Sequence, residues 1–318
     1  FSPIFWREGK KFFKSNKCDL VVWYSPSIFF GSLVKKLKKL FGCPSYLILR
    51  DIFPQWVVDS GILKKGPIYW FFKWKEIEQY DVADVIGVQS PANLSYFAER
   101  GLDKRYRLEV LYNWTKLKET DIPYSNYREQ YGLKGKVVFF YGGNIGIAQD
   151  MDNIIRLAEN LRDEPEAYFL LVGDGTEVGR LKEIIKSKKL TNISIHEAVN
   201  QQQYLAMLSE FDVGLISLDR RLKTQNFPGK MLGYMYYSIP ILASINTDND
   251  LQEILEKKQA GLVCINGNDA QFRDNAIKLI RDSKLRRQFG LNARALLETT
   301  FSVPRAAEQI LSHLNKQN

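Results

Sequence analysis

Histidine is nearly missing from this chain: His196 and His313 are the only two in 318 residues. A metal centre built on several imidazoles is thereby excluded. Cysteine is almost as scarce. Cys18, Cys43 and Cys264 are widely spaced, which implies no disulfide framework and fits reduced thiols in a cytoplasmic protein. No apolar run reaches the roughly 18 residues a spanning helix needs, and no signal peptide is visible. What is present, 45% hydrophobic and 25% charged residues, is the composition of a soluble globular protein long enough for two domains.

Acidic residues are missing locally. Residues 1–75 hold 14 Lys or Arg against 4 Asp or Glu, a net of +10, while the whole chain is only +9. The lysines cluster at Lys10, Lys11, Lys14 and Lys17, at Lys35, Lys36, Lys38 and Lys39, and at Lys64, Lys65, Lys73 and Lys75, with aromatics interleaved, as in IYWFFKW at 68–74. Basic plus aromatic fits an anionic membrane surface, with lysines on headgroups and Trp at the interface; nucleic acid is the rival partner. The segment LVKKLKKLF also reads as an amphipathic helix that buries Leu33, Leu37, Leu40 and Phe41.

Strand and helix patterns alternate almost throughout, which predicts α/β architecture with parallel sheets. CDLVVWYSP, PSYLILRDIF, ADVIGVQS and RLEVLYNW read as strands of a first domain. KLKETDIPYSNYREQYGLKG is polar and turn-rich, and reads as the linker. KVVFFYGGNIG, AYFLLVGDG, NISIHEAV, DVGLISL, IPILASI and AGLVCI then supply the strands of a second domain. Residues 1–127, 128–300 and a last helix in 301–318 are the expected units. FSPIFWREGKKFFK reads as the middle of a domain, which predicts an incomplete N-terminal sheet.

The most informative stretch is QNFPGKMLGYMYYSIPILASI. Pro228 and Gly229 suit a helix start, where a missing N–H costs nothing. Lys230 then falls in the first turn, where the helix dipole alone prefers an anion; an anion held between its ammonium and free backbone N–H groups explains it. YGGNIG at 141–146 joins strand to helix, and Gly142, Gly143 and Gly146 let the backbone approach a ligand. The loop serves equally as a packing turn or as a phosphate cradle, with Asn144 at its tip. In VGDGTE, Asp174 or Thr176 reads as a helix cap. His196 reads as structural, and Glu197–Val199 as a source of backbone groups for a nucleobase. Arg50-Asp51 ends a strand at the carboxyl edge of a sheet, where active sites gather; a salt bridge or cap explains the pair equally well. Asp51 suits orienting a sugar hydroxyl or taking a proton, and Arg50 suits a carboxylate, a phosphate or the sugar.

Taken in order, VVFFYGGNIG, FLLVGDG, NISIHEAV, DVGLISL and QNFPGKMLGYM, preceded by RDIFP, GVQSP and VLYNW, resemble retaining GT-B glycosyltransferases, family 4 in particular. The NFPGKMLGYM form looks most like bacterial O-antigen and capsule enzymes that transfer L-fucosamine. The resemblance implies two Rossmann-like domains facing a cleft, with the nucleotide sugar on the second and no cofactor or metal. The last helix would return to the first domain. It implies that Lys230 contacts the donor diphosphate, beside Gly229, Gly142, Gly143 and Asn144. Gln225, Asn226, Glu197, Val199 and Gly233 would face the donor sugar and nucleotide, and Asp51 and Arg50 the chemistry. The expected activity is transfer of a deoxyamino sugar from a UDP-sugar to a polyprenyl-diphosphate-linked acceptor, at the inner face of a bacterial cell membrane, with no nucleic acid involved. A non-catalytic sugar-nucleotide-binding subunit and a UDP-sugar 2-epimerase are the alternatives.

The chain departs from that family's pattern at several points. Gly233 stands where a glutamate usually holds the ribose diol, and Gln225 where another usually holds the sugar. Arg50-Asp51 replaces a frequent His-Asp pair. Asn144 and Gln149 lie where an arginine and a lysine are common, so Arg220, Arg221 or Lys223 are candidates for the lost positive charge.

Overall fold

A computed structural model describes residues 2–25, 27–59, 61–117, 125–222 and 227–314. The contacts group them into two compact units, residues 2–113 with 303–314 and residues 114–222 with 227–302. The division falls after Asn113, earlier than residue 127. The reason is local: the Thr115 N–H donates to the Phe301 carbonyl (2.9 Å), and Glu210 takes the N–H groups of Tyr127 (3.0 Å) and Arg128 (2.8 Å). The stretch read as linker thus already belongs to the second unit where it is described.

The first unit contains helices α1 (Ser2–Ser15), α2 (Gly31–Phe41), α3 (Gln55–Asp59), α4 (Pro67–Val82) and α5 (Pro91–Ala98). Its sheet is parallel, in the order β1 (Val21–Ser25), β2 (Ser45–Leu49), β3 (Val85–Val88), β4 (Leu108–Val110). β2 and β3 are buried along their whole length, as continuous apolar runs covered on both faces must be. β1 lies at the edge and alternates, burying Val21 and Trp23 while Val22 and Tyr24 are exposed. Gly31 at the start of α2 permits close approach to α4, where a Cβ would meet the Gln79 backbone nitrogen at 3.2 Å. Its lysines are not all free: Lys38 pairs with Asp84 (2.6 Å) and donates to the Val82 carbonyl.

The second unit holds α6 (Tyr127–Gln130), α7 (Met151–Asn160), α8 (Val178–Ser187), α9 (Gln201–Glu210), α10 (Lys230–Tyr236), α11 (Leu251–Lys257), α12 (Asp269–Arg281) and α13 (Ser283–Thr300). Six parallel strands, β5 (Val137–Gly142), β6 (Ala167–Val172), β7 (Ile193–His196), β8 (Val213–Ser217), β9 (Ile241–Ile245) and β10 (Gly261–Ile265), stand in the order β10-β9-β8-β5-β6-β7. The chain winds outward from β5 through β7, then from β8 through β10 in the other direction. Its core runs through Phe139, Tyr141, Ile154, Phe169, Leu171, Leu215 and Phe272.

The last helix, α14 (Val303–Leu311), packs within the first unit. Glu109 of β4 holds it: Gln309 donates to the carboxylate (2.8 Å) and to the Val110 carbonyl (2.8 Å), and His313 meets the other oxygen at 2.9 Å. The Tyr46 hydroxyl of β2 donates to the same carboxylate (2.7 Å).

Candidate functional site

β5 and β8 are neighbours in space although two strands, β6 and β7, separate them in sequence, so the winding reverses between them. At such a switch point the loops diverge and leave a crevice at the carboxyl ends of the strands. The glycine loop after β5 and the start of α10, which follows β8, both belong to this region.

Two glycine turns interlock there. A Cβ on Gly173 would stand 1.9 Å from the Gly143 carbonyl oxygen, and one on Gly175 would stand 2.1 Å from that of Ile145. The Gly143 N–H donates to Val172 (3.0 Å) and the Ile145 N–H to Asp174 (2.8 Å). Gly146 donates to the Gln149 side chain (3.2 Å), which also takes the Asn144 amide (2.9 Å). Much of the expected phosphate cradle is therefore spent on the loop's own structure, because a turn this tight must satisfy its own N–H groups. The exposed Asn144 N–H keeps no acceptor among the described residues. Gly142 is needed for packing: a Cβ there would meet the Tyr204 ring at 2.4 Å. Neither Asp174 nor Thr176 caps α8; its first residue is preceded by Glu177, without a side-chain cap.

Lys230 is the first residue of α10, after Pro228 and Gly229. Met231 and Leu232 donate back to the Pro228 (3.0 Å) and Gly229 (3.1 Å) carbonyls. The lysine runs toward the glycine loop, and its Nζ lies 3.3 Å from the centroid of the Tyr141 ring and 3.6 Å from where a Gly143 Cβ would be. Among the described residues it makes no ion pair or hydrogen bond. Burial pushes its ammonium down from 10.5 to about 7, while the ring face favours the charged form. A desolvated cation without a counter-ion is a preformed place for an anion.

Tyr141 and Tyr204 were not singled out in the sequence. The only signals are that Tyr141 directly precedes the glycine pair and that Tyr204 shares a helix face with Leu208, four residues on. The Tyr141 hydroxyl donates to the Asn144 carbonyl (2.6 Å). The Tyr204 hydroxyl stands 3.4 Å from where a Gly233 Cβ would be, and Leu208 closes the other side at 3.1 Å. Burial holds both phenols well above their usual range. A side chain at Gly233 would thus press on Leu208 and lie against the Tyr204 hydroxyl.

Glu197 and Val199 line a cleft of about 520 Å³ with Tyr131, Lys182, His196 and Gln203. Tyr131 lies 4.5 Å from the His196 ring, centroid to centroid. His196 bonds Ser194 (3.0 Å) and is pushed below its usual range by burial and by Lys182, in keeping with a neutral, structural ring.

Of the candidate cations after β8, Arg221 is held by Asp219 (2.5 Å). Arg220 is exposed, with its guanidinium 3.4 Å from where a Gly267 Cβ would be. Gln225, Asn226 and Lys223 lie outside the described residues. In the first unit, Arg50 and Asp51 follow β2 and are half-buried. Arg50 donates to the Leu111 carbonyl (3.2 Å). Burial pulls its guanidinium down to about 10 and raises the Asp51 carboxyl, against the opposing pull of Arg50.

The chain is similar to the probable glycosyltransferase WbjE of Pseudomonas aeruginosa, 27% identical over 72% of this chain and 58% of the relative's length; it therefore spans a little over half of that protein. It is also similar to the putative colanic acid biosynthesis glycosyl transferase WcaI of Escherichia coli, 22% identical over 94% of this chain and 74% of the relative. Among solved structures, Anabaena HepE in complex with UDP matches with a TM-score of 0.71 at 16% identity, over 97% of this chain and 81% of the other. WaaG, a glycosyltransferase involved in lipopolysaccharide biosynthesis, matches with a TM-score of 0.63 at 16% identity, over 88% and 81%. The fold is GT-B. The family model described as glycosyl transferases group 1 matches residues 124–296, and the chain belongs to that family.

Proposed function

We propose that this protein is a retaining glycosyltransferase that moves a deoxyamino sugar, N-acetyl-L-fucosamine being the leading candidate, from a UDP-sugar to a lipid-linked glycan in O-antigen or capsule synthesis. The observation that carries this reading is Lys230: a desolvated ammonium with no counter-ion among the described residues, at the sheet's switch point, near the exposed Asn144, whose N–H has no acceptor among them. The donor diphosphate sits against both, and Gly229 allows close approach. As the glycosidic bond to the donor breaks, charge develops on the diphosphate, and a preorganised cation with fixed dipoles stabilises it in place of a metal ion. A leaving-group phosphate oxygen accepts the acceptor's proton on the same face, so the step needs no carboxylate nucleophile.

The cleft lined by Tyr131, His196, Glu197 and Val199 takes the uracil, with Tyr131 as a flat surface for the base. Tyr204 takes a polar contact near Gly233, where no carboxylate is available for the ribose, and Gln225 and Asn226 face the donor sugar. Arg50 and Asp51 serve the acceptor side. The protein works peripherally at the inner face of a bacterial cell membrane, where its acceptor is anchored.

The test is product analysis with a panel of UDP-deoxyamino sugars, with and without a polyprenyl-diphosphate acceptor. The proposal expects acceptor-dependent UDP release and a product that keeps the donor's anomeric configuration. UDP-sugar binding with no turnover on any acceptor would favour the binding-subunit reading. Release of a sugar changed at its second carbon would favour the epimerase.

A further inference from the structure

Helix α4 buries polar side chains beside aromatic ones. Tyr69 and Tyr80 are buried together with Glu76, which has no exposed surface, and Gln79, 1% exposed. Glu76 is held there by Lys73 (2.5 Å) and by the Tyr80 hydroxyl (3.0 Å). On the outward side stand Ile68 (62% exposed), Trp70 (63%), Phe71 (47%) and Trp74 (59%). Trp70, Phe71 and Trp74 follow the spacing of one helix face, with Ile68 three residues before Phe71, and Phe71 and Trp74 lie ring beside ring at 6.2 Å. The preceding turn continues the surface with exposed Ile62, Lys64 and Lys65. A contiguous apolar stripe of this kind costs solvation in water and marks a surface with a partner.

The charge pattern identifies that partner. Of the four lysines in residues 61–75, Lys73 and Lys75 pair with Glu76 and Glu78, whereas Lys64 and Lys65 are exposed with no ion pair among the described residues; Lys75 also lies 4.0 Å over the Trp74 ring. Tryptophan with flanking lysine matches an interface where one side is apolar and the other carries anionic headgroups. α2, the helix whose lysine count draws attention in the sequence, is packed instead: Leu33 and Val34 are buried, Lys38 is committed to Asp84, and Lys36 lies over the Trp6 ring.

We propose that the outward face of α4, led by Trp70, Phe71 and Trp74 and flanked by Lys64 and Lys65, seats this protein on an anionic lipid bilayer. The inference deepens the membrane-side reading above and rests on it. The face sinks to headgroup depth and does not span: among the described residues, no helix is long and apolar enough to cross a membrane.

The experiment is sedimentation of the whole chain with vesicles of phosphatidylglycerol and phosphatidylethanolamine, or of phosphatidylcholine alone, at low and high salt, without donor or acceptor. The combined variant Trp70→Ser, Phe71→Ser, Trp74→Ser should bind the anionic vesicles about tenfold or more weakly than the parent. A Lys35→Gln, Lys36→Gln, Lys39→Gln variant should lose far less. Acyl-brominated phosphatidylglycerol should quench the parent's tryptophan emission and leave the triple variant's largely untouched. Equal thermal unfolding midpoints for the parent and the triple variant, whose three sites are exposed, would assign any loss to the surface. Parent binding that the triple variant retains would overturn the α4 assignment while leaving membrane association standing. A parent that ignores both vesicle types would overturn membrane association itself, and equal binding to phosphatidylcholine would overturn the anionic preference. UDP binding, measured separately, tests the donor site independently of all these outcomes.

Discussion

The Lys230 ammonium rests 3.3 Å above the centre of the Tyr141 ring, and the hydroxyl of the same tyrosine holds the Asn144 carbonyl at 2.6 Å. One side chain therefore places both the cation and the loop tip that flank the proposed phosphate position. The ring attracts the charge without neutralising it, which leaves the ammonium available to a ligand.

Replacing Lys230 by Met should abolish the charge while keeping most of the stem's packing. UDP affinity should fall by about 2–3 kcal/mol, the worth of a charge-assisted contact. The unfolding midpoint should hold or rise, because a buried cation without a partner is removed. Calorimetry with UDP, beside a thermal melt, checks both; unchanged UDP affinity would remove Lys230 from the site.

The free ammonium titrates near 7, lowered from 10.5 by burial, and a bound diphosphate raises it again. UDP binding above pH 7 should therefore take up a proton, and affinity should fall by up to about tenfold per pH unit there. Stability runs the opposite way. Between about pH 7 and 10.5 the unfolded chain binds the proton that the folded chain has released, so this group's contribution to stability rises with pH across that window. Calorimetry in buffers of different ionisation enthalpy measures the uptake; no proton exchange at pH 8 would contradict the shift.

Tyr141→Phe removes the bond to Asn144 and keeps the ring; Tyr141→Leu removes both. Phe should cost about 1 kcal/mol in UDP binding through a looser loop tip. Leu should cost more and also lower the Lys230 titration further, since the ring's help to the charged form is lost. Equal behaviour of the two variants in a pH series of UDP affinity would show that the ring contact is incidental.

Glu109 receives Tyr46, Gln309 and His313 at once. Glu109→Ala should therefore destabilise the first unit by about 2–4 kcal/mol, leaving the buried Tyr46 hydroxyl without its acceptor. It should also speed proteolysis within α14. Denaturant unfolding with limited proteolysis reads both, and a stability within experimental error of the parent would show that the carboxylate is solvated.

The α/β alternation, the parallel sheets and a lysine at a helix start were all legible in the sequence. Each rests on local physics: apolar runs bounded by glycine and proline, and the φ restriction that puts Pro228 before the first turn. Local pattern also stopped short of the pairing. LVKKLKKLF has the spacing of a solvated basic helix, but it does not show that Asp84, 46 positions after Lys38, takes that ammonium.

The sequence by itself determined two α/β units with parallel sheets and a lysine at the first turn of α10, because periodicity and turn chemistry act within a few residues. Tertiary structure alone decided that Tyr141, 89 positions before Lys230, lies under its ammonium, that Tyr204 and Leu208 stand beside Gly233, and that α4 turns Glu76 inward and its tryptophans outward. The reason is physical. Whether a side chain is buried, paired or exposed depends on what distant segments the sheet order brings beside it, and α4 carries aromatic residues on both its buried and its exposed face, so its sequence does not announce which of the two packs inward.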